Sequence, residues 1–135
     1  MANEAEIVEL LGNGGDPIRY TCADGNTIEK GSLLWFLDPR LVSGASNLGL
    51  QTPAGVAAQE KVANDGKTSI PVYTNGLFDI VTATNSTITA GDPVTISGVN
   101  VIATAKSGDT DLGRVLGIAL EGANSGERIV VRVRT

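Results

Sequence analysis

Side chains able to do chemistry are scarce in this chain of 135 residues, and their spacing does not assemble a site. There is no histidine, which removes the commonest general base and metal ligand together. Cys22 is the single cysteine, so it has no nucleophile–imidazole partnership and no disulfide to make. Its inward place in an alternating run marks it as a buried small apolar residue. A structural zinc site needs several Cys or His ligands and is excluded. Asp109 and Asp111 in "SGDTDLG" resemble the start of a calcium loop but lack its later ligands and closing glutamate, so an exposed polar turn is expected there. "LLGNGGDP" at 10–17 carries glycines without the lysine and following helix of a phosphate loop. Glu60 and Lys61 read as a solvated face. The expectation is a protein that is not an enzyme and takes no metal and no cofactor.

The elements must therefore serve contact rather than catalysis. The net charge is −5, and without a basic stripe the chain is a poor binder of nucleic acid, whose phosphates require clustered Lys and Arg. Charge is uneven: Glu4, Glu6 and Glu9 crowd the start, and Arg128, Arg132 and Arg134 the end. These are either solvated surface or groups that meet oppositely charged neighbours in an assembly. No apolar run is long enough to span a bilayer, and the acidic start does not read as a signal peptide. A soluble product of a reducing cytoplasm fits. Hydrophobic residues make up 41% of the chain but aromatics only 4%. The core must therefore be Val, Ile, Leu and Ala, with a few large pieces such as Trp35, Phe36 and Phe78. Seventeen glycines and abundant Thr, Ser, Asn and Asp indicate the many turns of an all-β chain.

Residues 1–15 stand apart. Ile7, Leu10 and Leu11 have helical spacing, too short to be stable alone, and Gly12, Asn13, Gly14 and Gly15 form a hinge. The segment reads as an extended arm held only by a partner surface; the other reading is a terminal strand packed on its own domain. From Ile18 the pattern is β: Ile18, Tyr20 and Cys22 alternate with Arg19 and Thr21. "ADGN" at 23–26 is a turn, Ile28 points inward, Gly31 makes a corner, and Leu33 to Leu37 form a strand closed by Asp38-Pro39. Residues 40–54 read as a weakly structured loop, and 55–62 fits a strand or a short helix. Asn75-Gly76 is a hairpin signal. Trp35 and Phe36 are adjacent and must face opposite sides of their strand. Either one of them packs against another subunit, or both faces are covered within the monomer.

The second half repeats the first, sixty positions on. Phe78 and Ile80 answer Ile18 and Tyr20, "ATNS" answers "ADGN", and Thr87, Ile88 and Gly91 repeat Thr27, Ile28 and Gly31. Val94 and Ile96 take the places of Leu34 and Phe36. Further along, Ala123, Asn124 and Gly126 repeat Ala63, Asn64 and Gly66. Because a one-residue slip would reverse every side chain in a strand, the constant offset predicts a duplicated strand–turn–strand unit, about 18–73 and 78–133. The expected architecture is a compact all-β domain over 16–135, barrel-like or sandwich-like, whose two units share one core.

"YTCADGNTIEKGSLLWFLDPR", "AGVAAQEKVANDGKTSIPVYTNGLFDI" and "ITAGDPVTISGVN" together resemble the small capsid decoration, or cement, proteins of tailed bacteriophages and prophages. The likeness runs from about Ile18 to the end of the chain. It implies a β domain on the outer capsid surface of a virion, made in the host cytoplasm, usually a homotrimer that bridges major capsid protein subunits. It also implies no enzyme activity and no cofactor, while charge and hydropathy argue against nucleic-acid and membrane partners. Trp35, where a smaller or polar residue is common, and the acidic start depart from the pattern. The candidate capsid contacts are Glu4, Glu6, Ile7, Val8, Leu10 and Leu11. The candidate subunit contacts are Trp35, Phe36, Arg128 and Arg132. The competing reading is a phage-surface β module that binds a glycan or a host protein, although such modules display more aromatic residues than this chain has.

Overall fold

The computed structural model describes residues 3–9, 16–38, 40–44, 52–111 and 113–135. Leu10 and Leu11, and with them two of the candidate capsid contacts, lie outside the described residues. The chain folds as two successive closed barrels of five strands each. The first contains β2 (Ile18–Cys22), β3 (Leu33–Asp38), β4 (Leu41–Gly44), β5 (Pro53–Ala57) and β6 (Ser69–Tyr73), joined in the ring order β2-β4-β3-β5-β6. The second contains β7 (Asn75–Thr82), β8 (Pro93–Gly98), β9 (Val101–Thr104), β10 (Gly117–Ala119) and β11 (Arg128–Arg134). Its ring, β7-β11-β10-β8-β9, closes where β7 meets β9. An additional strand, β1 (Glu6–Glu9), adds to β7 as an edge.

The repeat is visible bond by bond. In the first barrel β2 runs parallel to β4, with Thr21 opposite Leu41 and Cys22 opposite Val42. Sixty residues on, Val81 stands opposite Val101 and Thr82 opposite Ile102. The antiparallel pairs Leu34–Gly44 and Phe36–Val42 recur as Val94–Thr104 and Ile96–Ile102, each ladder carrying an irregularity just after Phe36 or Ile96. The hairpin turns between these strands put Arg40 (φ 60°) and Asn100 (φ 56°) in the left-handed region, where non-glycine residues are uncommon. The recurring corner has the same bonds in both copies. Gly31 N–H donates to the Ala57 carbonyl at 2.9 Å, and Gly91 N–H to that of Ala119 at 2.8 Å.

Beyond the third strand of each unit the offset changes. Gly55 and Val56 oppose Leu34 and Leu33 as Gly117 and Ile118 oppose Val94 and Pro93, a spacing of sixty-two between the copies. Ile70 opposes Tyr20 as Ile129 opposes Ile80, a spacing of fifty-nine. The expectation of one constant register therefore holds through β9 and fails after it. Loop lengths between strands are free to drift because the ladders, not the connections, set the pairing. The bridges Ile28–Lys61 and Ile88–Ala123 show the consequence: Ala123 occupies the position of Lys61, and its match to Ala63 is a coincidence of letters.

Other local expectations are corrected by pairing. Residues 41–44 form β4 rather than loop, because backbone bonds to β2 on one side and β3 on the other fix a segment with no hydrophobic alternation. Asn75 and Gly76 begin β7, opposite Arg134 and Val133, instead of making a hairpin; β6 and β7 belong to different barrels with only Thr74 between them. Asp109 sits in a short helix, Ser107–Asp111, where its carboxylate accepts the Lys106 N–H at 3.0 Å. Ile18 is exposed rather than inward, since it lies at an open end of its barrel.

In each barrel a strand backbone presses directly on its neighbour, β10 on β11 and β5 on β6. A Cβ on Gly117 would stand 1.9 Å from the Arg132 carbonyl oxygen, and one on Gly55 2.2 Å from that of Tyr73. Gly117→Ala is expected to lower stability by about 1–3 kcal/mol, as overpacking does. The check is a drop in urea midpoint, with Gly25→Ala as a near-neutral control because nothing lies within 4 Å of its Cβ position.

Candidate interaction surfaces

Two constellations of polar groups stand out, one holding the N-terminal segment and one inside the first barrel. The N-terminal segment does not wait for a partner: residues 3–9 are bound to their own chain. Ala5 N–H donates to the Gly31 carbonyl at 2.6 Å, and Ala5 is buried against the second barrel's core. Gly31 (φ 89°) is required here twice over, by its left-handed backbone and because a Cβ would meet the Ala5 carbonyl oxygen at 2.6 Å. The matching Gly91 has open space around it, so this docking belongs to the first copy alone. Glu6 then pairs with Asp79 and Ile7 with Phe78. Arg128 ties the junction, its Nη1 donating to the carbonyls of Glu4 and Asp79, each at 3.2 Å. A hollow of about 420 Å³ runs beside this segment between the barrels, with Lys30, Val56, Tyr73 and Arg128 on its walls. Ile7 and Val8 remain exposed, and β1 is the outer strand of its sheet. Among the described residues no strand pairs with its second edge, where backbone donors and acceptors lie.

The candidate subunit contacts have separate places. Trp35 packs into the cluster that joins the barrels, its indole N–H donating to the Gly44 carbonyl at 3.1 Å. Phe36 packs on the opposite side, edge-to-face with Tyr20 at 5.2 Å. Both faces of this strand are thus partly covered within the monomer. Arg128 serves the N-terminal junction. Arg132 lies half-buried on β11, and its Nε has no hydrogen-bond partner among the described residues.

Lys61 is the residue that the sequence misplaces. It is 1% exposed, not part of a solvated face, whereas Glu60 is exposed. Its ammonium donates to Asp65 Oδ1 at 2.7 Å, the Val62 carbonyl at 2.8 Å and the Asp24 carbonyl at 2.9 Å, with Asp24 Oδ1 at 3.2 Å. Asp24 Oδ1 also accepts the Gly66 N–H at 2.8 Å, and Asp65 Oδ1 the Lys67 N–H at 2.9 Å. The side chain therefore pins two turns, 23–26 and 62–67, over one end of the barrel. Burial pulls the ammonium's pKa down, but its bonds to Asp65 and Asp24 outweigh this and leave it raised. Those same contacts, led by the Lys61 hydrogen bond, hold Asp65 at about 2 against its ordinary 3.8. Nearby, burial raises the Cys22 thiol, which is fully covered as expected and has little thiolate character. The available signal was the pair of Asp-containing turns, "ADG" and "NDG", with Lys61 just ahead of the second of them. Among the described residues no group of three or more acidic, Cys or His side chains converges to hold a metal.

A structure of turns pinned by ion pairs, closed barrels and an edge strand is suited to holding surfaces together. The chain belongs to the phage cement protein family, whose model matches residues 13–135. Its fold is similar to that of the head fiber gp8.5 N base in bacteriophage phi29, with a TM-score of 0.53 and 18% sequence identity over 87% of this chain and 93% of that one. No curated protein matches it.

Proposed function

We propose that this protein decorates the outer surface of a tailed-phage capsid, where a homotrimer bridges major capsid protein subunits and stabilises the head. The observation that carries the reading is the family match across nearly the whole chain. The geometry supports it: two closed barrels give a rigid body, and β1 offers an edge that is unpaired among the described residues and carries exposed Ile7 and Val8. A capsid strand laid along that edge would gain backbone bonds for affinity and apolar contacts for register. Glu4 and Glu6 beside it would favour a basic capsid segment. In a trimer the same weak contact is made three times, and linked sites gain avidity of order 10²–10⁴ without any new contact. Mixing the purified protein with undecorated, expanded capsids and sedimenting them tests this. Saturable co-sedimentation on the outer surface is expected, and absence of the protein from the capsid pellet overturns the reading.

A further inference from the structure

We propose that copies of this chain join head to tail through a contact that the chain already makes inside itself, with the open end of the first barrel receiving the outer face of a neighbour's second barrel. Inside the chain, the outer face of β3, β5 and β6 covers one end of the second barrel. Leu33 and Val56 are buried in the same cluster as Phe78, Ile80 and Ile96. Tyr73 lies 5.7 Å from Phe78, ring to ring, and Leu33 N–H donates to Asn100 Oδ1 at 3.0 Å. The strand registers give the counterpart of each surface. Pro93, Ile118 and Arg132 stand on the second barrel where Leu33, Val56 and Tyr73 stand on the first. Ile18, Tyr20, Phe36 and Arg40 stand at the end of the first barrel where Phe78, Ile80, Ile96 and Asn100 stand in the second.

Both counterparts carry exposed apolar side chains. Val56 is 1% exposed, but Ile118 is 41% exposed with Leu120 beside it at 47%. Phe78 is fully buried, but Ile18 is 47% exposed, and Leu37 at the same end 49%. That end is an open hollow of about 440 Å³ floored by the Tyr20–Phe36 ring pair and edged by Asp38 and Arg40. A soluble chain leaves such apolar surface uncovered where another surface docks, and the surface known to fit this shape is the one the duplication supplies.

The polar groups change in step. The internal contact contains a donor, Leu33 N–H, and an acceptor, Asn100 Oδ1. At the equivalent places Pro93 has no N–H and the Arg40 side chain no acceptor, so the Leu33–Asn100 bond has no counterpart between copies, and the Arg40 guanidinium must keep solvent or an acceptor of its own at the rim. Arg132, in the place of Tyr73, would lie over the Tyr20–Phe36 rings with Asp38 within reach, a cation on aromatic faces beside a carboxylate. The two surfaces differ from each other, so the contact is heterologous: repeated, it closes a ring or grows a fibre. A ring of three is the number that the proposed capsid role requires, and only that number rests on it.

The experiment is sedimentation equilibrium of the full chain without capsids. The wild type is expected as a discrete oligomer, and Leu37→Asp and Ile118→Asp each as a monomer. Both side chains are exposed, so circular dichroism should show the fold unchanged. Mixing the two variants is expected to give a one-to-one dimer, because each supplies the surface the other has lost. A monomeric wild type, variants that keep the wild-type mass, or a mixture that stays monomeric would each overturn the contact. Capsids play no part in the measurement, so its failure leaves capsid attachment standing, and a failure of capsid attachment leaves the contact standing.

Discussion

Replacing Lys61 with methionine is expected to lower the thermal midpoint by on the order of 10 °C, the largest stability loss of any single change to a polar side chain in this chain. Methionine fills similar volume, so the effect isolates the ammonium. Without it Asp24 and Asp65 face each other across the barrel end, and two backbone carbonyls lose their donor. The acid response carries a second signature. Asp65 has its pKa depressed from 3.8 to about 2, so its contribution is fully present above pH 3.8 and is lost as pH falls through about 2. In the wild type, stability should decline across that window for this reason; in Lys61→Met the decline from Asp65 should shrink, because its principal cause is gone while the Lys67 and Val62 N–H groups still donate to the carboxylate. Thermal melts at neutral pH and at steps down to pH 2 read both. A neutral-pH midpoint within a degree or two of the wild type would show that the buried cation holds nothing.

Deleting residues 2–12 is expected to weaken capsid binding by two to four orders of magnitude while both barrels still fold, because the lost contact is multiplied across the copies of an assembly. The ten strands of the barrels make their own ladders, and the described residues of the deleted segment add one edge pairing, the Ala5 contact and the Arg128–Glu4 bond. The truncated chain should therefore keep its β signal in circular dichroism with a lower midpoint. The second variant, Ile7→Asp with Val8→Asp, keeps the strand and changes only its exposed apolar side chains; it should bind capsids more weakly than the wild type. Undiminished co-sedimentation of the truncated chain would locate the attachment elsewhere.

How much of this was legible beforehand can be traced residue by residue. The β class, the turns at 23–26 and 83–86 and the inward Leu34, Ile80 and Val94 follow from alternation and turn chemistry, which are local. The duplication was readable as far as Ile96 because one offset served the strands up to there. Past that point insertions in two loops shifted it, and letters alone matched Ala63 with Ala123 when the backbone matches Lys61 with Ala123. β4 was missed because its order comes from pairing on both edges, which is non-local. Lys61 was missed because lysine is almost never buried unless paired, and its partners lie thirty-seven residues back and four ahead. For the N-terminal segment the sequence left two readings open, and residues 3–9 take the one packed on their own chain, held by Gly31 and Arg128, which are far away in sequence.

The single residue between β6 and β7 has a mechanical consequence. Thr74 is itself gripped: its carbonyl accepts the Thr135 N–H at 3.0 Å, while the Thr135 hydroxyl donates to the Ala54 carbonyl at 2.9 Å. A hinge needs several residues free to change their torsions, and none is available at this crossing. The pair of barrels must tilt as one lever, so any pull received at one extremity arrives at the other undamped.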